Sequence, residues 1–163
     1  MQKDTGYFSQ DPSVNPLMYS WNMVFIKYCD GASYSGNNDT VDEFEGKKLY
    51  YRGFRINMAV MDRLFDEFGL FHATDVVLTG CSAGGLATYL HVDHWAGYLN
   101  PSTKFVAMPD SGFFLDYEAP DIGPSPVPSA PGNYHNDMIW VYEYQNASTG
   151  VNQACVHNFY FKG

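Results

Sequence analysis

Residues 75–97 read DVVLTGCSAGGLATYLHVDHWAG, and this stretch decides the fold. Residues 75–79 form a compact, β-branched run with little alternation, which is typical of a strand buried on both faces of a parallel sheet. Residues 83–97 fit a helix whose Leu86, Tyr89 and Leu90 can face such a sheet. Only a short, glycine-rich segment separates the two. We therefore predict a strand, a tight turn and a helix.

Three further segments extend this alternation outward. Residues 23–28 are dense in β-forming residues and predict a strand that leads into a turn-rich loop. Residues 52–68 carry apolar residues at three- and four-residue intervals before Gly69, which predicts an amphipathic helix. Residues 104–108 predict another strand. The order strand, helix, strand, helix, strand implies an α/β fold, with a parallel sheet and helices on both faces.

The alternation ends after Tyr117. Residues 118–133 contain five prolines, which exclude a central strand and predict an extended surface loop or lid. Residues 137–145 are apolar enough to pack on the core, but helix and strand cannot be distinguished over so short a run. A chain of 163 residues corresponds to one domain, so we treat residues 1–163 as a single unit.

Composition and charge exclude several classes of partner. The chain is 45% hydrophobic and 17% aromatic, as in globular proteins. Its 18 acidic and 9 basic residues give a net charge of -9, which opposes binding to nucleic acid and to anionic membranes. No apolar run approaches the ~20 residues that span a bilayer, and residues 1–16 do not resemble a signal peptide. We expect neither nucleic acid nor membrane as a partner.

Cysteines, histidines and sequons give weaker signals. The three cysteines permit at most one internal disulfide and leave one thiol over. The five histidines show no metal-ligand spacing beyond the pair His91 and His94, which is more typical of a solvated or hydrogen-bonded helix surface, so we expect no metal or other cofactor. Asn38 and Asn146 begin N-glycosylation sequons.

The candidate chemistry lies at Gly80-Cys-Ser82-Ala83-Gly84, a G-x-S-x-G pattern between the predicted strand and helix. A serine hydroxyl becomes an effective nucleophile when it projects from a tight turn toward a base. Gly80 and Gly84 are expected to remove side chains that would clash in this turn. The Ala83 N–H would point at a developing oxyanion. We predict Ser82 as an acyl-transfer nucleophile; the alternative is a glycine-rich turn that binds an anion or packs tightly.

Four blocks of the sequence resemble the pectin acetylesterase family, which includes the Notum carboxylesterases. They are residues 22–36 (with YCDGASYSG), 51–53 (YRG), 78–86 (LTGCSAGGL) and 110–116 (DSGFFLD), in the family's order. The resemblance spans about Asn15 to Cys155 and implies a partial α/β-hydrolase fold. It also implies a secreted or extracellular serine esterase that removes acetyl groups from pectin-like polysaccharide of the cell wall. It aligns Ser82 with the family nucleophile and Ala83 with an oxyanion-hole residue.

Two alternative functions stay open beside this one. The first is a fatty-acyl ester deacylase of the same fold, acting on a protein or lipid. The second is a catalytically incomplete binding protein. The resemblance places the family's Gly-Gly-Gly-Trp-Cys stretch before residue 23, and its acid and histidine beyond Cys155. We therefore expect a central fragment, and whether this chain is itself an enzyme is left open.

An acid and either of two histidines could complete a triad with Ser82 within the chain. Asp110 follows the predicted strand at 104–108, and His135 or His157 comes later, so the order nucleophile, acid, histidine is met. Asp110 is alternatively a turn-capping residue. His91 is a poorer base, because it lies two and a half turns along the helix from Ser82.

The loop after the first predicted strand is a candidate pocket wall. Asp30, Gly31, Ser33 and Tyr34 would lie at the carboxyl ends of the strands, where such sheets bind ligands. The expected partner is an acetylated polysaccharide or another acyl ester. Unpaired sheet edges favour association, but the sequence does not indicate an oligomeric state.

Overall fold

The computed structural model describes residues 5–115 and 134–160, without the side chains of residues 159 and 160. The predicted proline-rich loop at 118–133 lies outside the described residues. In chain order the elements are β1 (Val41–Phe44), β2 (Lys47–Tyr50), α1 (Gly53–Glu67), β3 (Asp75–Cys81), α2 (Ala83–Tyr98), β4 (Lys104–Asp110), α3 (Tyr134–Tyr144) and α4 (Gln153–Tyr160). Short 3-10 turns lie at Gly6–Phe8, Leu70–His72 and Ala147–Gly150.

Strands β3 and β4 are parallel neighbours, and helix α2 packs against both. Their register runs from Asp75 opposite Lys104 to Cys81 opposite Asp110. The Thr79 hydroxyl adds a side-chain link by donating to the Met108 carbonyl at 2.7 Å. The predicted strand, turn, helix and strand are confirmed here, with each strand two residues longer than predicted. The predicted burial of β3 on both faces is wrong, since residues 76–80 are half-buried and both ends are exposed. Tyr89, predicted to face the sheet, is exposed. The register places the start of α2 and the end of β4 at the same sheet edge.

Helix α1 agrees with the prediction at 52–68 and buries one stripe of its surface. Gly53, Asn57 and Met61 are buried at four-residue spacing, and the Met61 side chain is completely buried. At its C-terminal half, Phe65 packs edge-on against Phe71 and against Tyr98 of α2. Helix α1 therefore lies beside α2.

The prediction of a strand at residues 23–28 is wrong. Residues 23–28 carry no regular structure. The segment has β-forming side chains, but none of the described strands pairs with it, and a strand needs a hydrogen-bonding neighbour. The hairpin of β1 and β2 was not predicted. Its turn at Glu45 and Gly46 has φ of 49° and 71°, the left-handed pair that suits a tight hairpin, but Glu-Gly is a weaker turn signal than Asn-Gly or Asp-Gly.

The apolar run at 137–145 is helical, since it lies within α3 apart from its last residue. The chain after α3 packs against the loop at residues 35–38. The Asn37 N–H donates to the Gln145 carbonyl at 2.8 Å, and the Asn38 amide donates to the Tyr144 carbonyl at 2.7 Å. A Cβ on Gly150 would lie 2.8 Å from the Ser35 Cα. These contacts join the C-terminal helices to the loop that precedes β1.

The described helices include none that is long and apolar enough to cross a membrane. All three cysteines lie among the described residues, and each is an exposed free thiol.

Candidate active site

Ser82 occupies a strained turn between β3 and α2. Its φ and ψ are 58° and -119°, which a non-glycine residue adopts only where the surrounding structure holds it. The Ser82 N–H donates to the Asp110 carbonyl at 3.0 Å, and the Ser82 carbonyl accepts from the Leu86 N–H at 3.0 Å. Both backbone groups are thus bound while the residue itself is exposed. This arrangement presents a serine hydroxyl at the N-terminus of a helix.

The two glycines of the G-x-S-x-G pattern are not equivalent. A Cβ on Gly80 would lie 2.8 Å from the Gly84 Cα and closer still to the Gly84 carbonyl. A Cβ on Gly84 would meet nothing within 4 Å. The expected clash therefore exists at Gly80 and not at Gly84. Gly80 is required because the end of β3 passes directly against the first turn of α2.

A second glycine contact supports the turn and was missed by the sequence analysis. Gly85 is buried, and its added Cβ would lie 2.7 Å from the Gly112 Cα; a Cβ on Gly112 would lie 2.6 Å from the Gly85 Cα. Ser111 between β4 and Gly112 has a φ of 51°. In the sequence, the signals for this contact were the doubled glycine at residues 84–85 and Gly112.

Asp110 lies at the end of β4, beside the backbone of Ser82. Its Oδ2 accepts a hydrogen bond from the Tyr7 hydroxyl at 3.2 Å, and its Oδ1 accepts one from the Ser111 hydroxyl at 3.0 Å. The hydrogen bond from Tyr7 and the Asp110 charge raise the pKa of the Tyr7 phenol. Tyr7 at this edge was not predicted, because it is more than a hundred residues away in sequence.

The candidate bases lie on other elements. His135 is in the first turn of α3 and His157 is in α4, and both helices contact the 3-10 turn at Ala147–Gly150. Their pairing with Ser82, and the role of Asp110 as the acid, stay predictions.

His91 is buried, so its predicted place on the helix surface is wrong, and its imidazole contacts a backbone carbonyl away from Ser82. Only 3% of the residue is exposed, and its Nε2 lies 3.0 Å from the Ser33 carbonyl oxygen. Burial lowers the pKa of the His91 imidazole, and its ring stacks on Phe54. This side chain fastens the loop at residues 30–36 to helix α2.

The four predicted pocket residues form part of the same loop. Gly31, Ser33 and Tyr34 have positive φ, and the side chains of Asp30 and Ser33 are buried. Asp30 Oδ1 accepts from the Tyr34 N–H at 3.2 Å, and the Tyr34 hydroxyl donates to the Ile26 carbonyl at 3.0 Å. Burial raises the pKa of Tyr34 to about 12. That these residues line a substrate pocket stays a prediction.

Other predicted features take the following places. Within residues 5–115 and 134–160, no group of three or more His, Cys, Asp or Glu side chains could hold a metal ion. Of the two sequon residues, Asn146 is exposed and donates to the Asn37 carbonyl at 3.1 Å, and Asn38 is half-buried.

An open cleft of about 350 Å³ lies at the ends of β3 and β4 that are opposite to Ser82, where Asp75 and Lys104 form part of its wall. None of the candidate site residues lines it.

Comparison with known proteins gives sequence relatives of two kinds. Pectin acetylesterase 5 of Arabidopsis thaliana is 37% identical over 152 residues, covering 93% of this chain and 33% of that protein. Palmitoleoyl-protein carboxylesterase NOTUM of Homo sapiens is 35% identical over 116 residues, covering 69% of this chain and 23% of that protein. The chain thus spans about a third of the length of the Arabidopsis relative.

The fold and the family are both supported. A crystal structure of the Wnt deacylase Notum from Drosophila superposes with a TM-score of 0.79 at 24% identity, covering 99% of this chain and 45% of that one. The predicted fold class, part of an α/β-hydrolase fold with a parallel sheet and helices, is confirmed. Residues 1–159 match the family model described as Pectinacetylesterase. The resemblance seen in the sequence is therefore confirmed, and this chain belongs to the pectinacetylesterase family.

Proposed function

We propose that Ser82 is the nucleophile of a serine carboxylesterase that removes acetyl esters from pectin-like polysaccharide. The observation that carries the proposal is the conformation of Ser82, an exposed serine strained at a strand-to-helix turn. Such strain has a cost in stability and is typical of functional positions. A packing turn would not need a serine in this conformation.

The proposed reaction is an acyl transfer in two steps. The Ser82 hydroxyl attacks the acyl carbon and gives its proton to a base, for which His135 and His157 are the candidates within the chain. The negative charge that develops on the carbonyl oxygen lies near the Ala83 N–H, which is the first N–H of α2 and has no partner within the helix. The sugar alcohol leaves, and water then releases acetate from the acyl-enzyme.

The substrate class rests on the relatives that cover most of the chain. Pectin acetylesterases 5 and 4 of Arabidopsis thaliana each cover 93% of it, whereas two further Arabidopsis pectin acetylesterases and the NOTUM proteins cover about 70%. Removal of a fatty acyl group is the second candidate, favoured by the sequence match to palmitoleoyl-protein carboxylesterase NOTUM. A secreted or extracellular location belongs to the same proposal. A binding protein without turnover is the third candidate, since the acid and base are not established.

The direct test is hydrolysis of 4-nitrophenyl acetate and of acetylated pectin by the folded chain and by Ser82→Ala. Ser20→Ala is the matched control, because Ser20 is exposed and its hydroxyl makes no hydrogen bond to the described residues. We expect release of acetate from both substrates by the wild type and Ser20→Ala, and none by Ser82→Ala. Activity that persists in Ser82→Ala would refute Ser82 as the nucleophile. Binding of pectin without any turnover would support the binding protein instead.

A further inference from the structure

Tyr7 and Asp110 form a polar pair at the sheet edge that carries Ser82. The Tyr7 hydroxyl donates to Asp110 Oδ2 at 3.2 Å, and the Asp110 carbonyl accepts from the Ser82 N–H at 3.0 Å. Cys81, the residue before Ser82, lies opposite Asp110 in the ladder. One backbone hydrogen bond thus separates the Tyr7 and Asp110 pair from the candidate nucleophile.

The segment that carries Tyr7 is held in place by a buried asparagine. Asn15 is 5% exposed, and its amide nitrogen donates to the carbonyls of Tyr7 at 3.0 Å and Ser9 at 3.1 Å. Its amide oxygen accepts from the Met18 N–H at 3.2 Å. The neighbouring Phe8 ring packs edge-on against Phe25. Tyr7 is therefore fixed from two sides, by Asn15 through its backbone and by Asp110 through its hydroxyl.

The pair retains capacity to bind a ligand. A carboxylate has about four acceptor positions, and the Asp110 oxygens are each bound by one hydroxyl. The Tyr7 oxygen keeps its acceptor lone pairs, and 42% of Tyr7 is exposed. A molecule with several hydroxyl groups and an apolar ring face matches these features. A long acyl chain does not, because placing it here would desolvate a carboxylate without replacing its hydrogen bonds.

We propose that Tyr7 and Asp110 form a hydroxyl-binding subsite beside Ser82 that recognises the sugar portion of the ester. The proposal rests on the proposed function and specifies its substrate class, a hydroxylated carbohydrate alcohol. It gives Asp110 a role in binding the substrate, which is an alternative to the predicted role of Asp110 as the triad acid. The two roles predict different kinetic effects.

The test measures binding separately from turnover. In a Ser82→Ala background, calorimetry gives the Kd of a methyl-esterified, acetylated trigalacturonide for the parent protein and for Tyr7→Phe and Asp110→Asn. Tyr19→Phe is the matched control, since Tyr19 lies in the same segment, is also 42% exposed, and its hydroxyl bonds none of the described residues. We expect Tyr7→Phe to weaken binding about fivefold, Asp110→Asn about tenfold or more, and Tyr19→Phe not at all.

Three results would overturn the subsite: no binding by the folded parent protein, equal Kd values for Tyr7→Phe and Tyr19→Phe, or no change in Asp110→Asn. In protein with Ser82 intact, Tyr7→Phe should raise KM for the acetylated saccharide, whereas Tyr19→Phe should leave this KM and the hydrolysis of 4-nitrophenyl acetate unchanged. An equal loss of kcat on both esters in Asp110→Asn would assign Asp110 to the triad and overturn its role here. Binding that depends on Tyr7 in a protein without turnover would support the subsite while the esterase function fails.

Discussion

Replacement of Gly80 by alanine should destabilise the protein, whereas the same change at Gly84 should not. The added Cβ at Gly80 would lie 2.8 Å from the Gly84 Cα, about 0.6 Å inside the 3.4 Å at which ordinary contact begins. The atoms that it meets are backbone, so β3 and α2 must separate. Overpacking of this kind costs about 1–3 kcal/mol. For a chain of 163 residues this lowers Tm by about 2–12 °C.

Gly84→Ala is the matched control, because it adds the same methyl group four residues away. Its Cβ meets open space, and alanine is favoured over glycine in a helix by up to about 1 kcal/mol. We therefore expect Tm to stay unchanged or to rise by up to about 4 °C. Calorimetric or circular-dichroism melting of the two variants beside the wild type gives the comparison. Equal destabilisation by both variants, or a harmless Gly80→Ala, would refute the reasoning about this turn.

Two further predictions concern the loop that precedes β1. Because burial lowers the pKa of His91 below its ordinary 6.5, the unfolded chain binds more protons there, so stability should fall as the pH drops below about 6.5, by at most ~1.4 kcal/mol per pH unit. In urea titrations across pH, this pH dependence should disappear in His91→Gln; most of it should remain in His94→Gln, because burial is a larger cause of the lowered His91 pKa than the His94 charge. Identical pH profiles for the two variants would contradict the prediction. Asn38→Ala should lower stability by about 1 kcal/mol through the lost bond to the Tyr144 carbonyl. Asp39→Ala should have no measurable effect, because its ion pair with Arg55 is exposed, and equal unfolding midpoints for the two variants would argue against the contact.

The central unit of the fold was predictable because its signals are local. A compact β-branched strand, a G-x-S-x-G turn and an apolar helix follow one another without interruption from Asp75 to Tyr98, and each pattern predicts its own element. The prediction of a strand at residues 23–28 was wrong because strand formation depends on pairing that is not local. β-Forming side chains predict a strand only if a partner strand lies beside them, and pairing between distant segments is not visible in one sequence.

The tight turn at Ser82 could be predicted from the sequence, but the contacts around it could not. The contact between Gly85 and Gly112 joins segments that are far apart in sequence, and so does the hydrogen bond between Tyr7 and Asp110. Nothing in the local pattern of residues 5–8 indicates a position at the sheet edge. His91 could be dismissed as the base from helix geometry alone, but its role in fastening the loop at residues 30–36 required the structure.

The most direct test of the central claim is covalent labelling of the folded chain with a fluorophosphonate, followed by mass-spectrometric mapping of the adduct. We predict one adduct, on Ser82, that is absent in Ser82→Ala and unchanged in Ser20→Ala. Failure of the wild-type chain to form an adduct at Ser82, or an adduct that persists in Ser82→Ala, would contradict the assignment of Ser82 as the nucleophile.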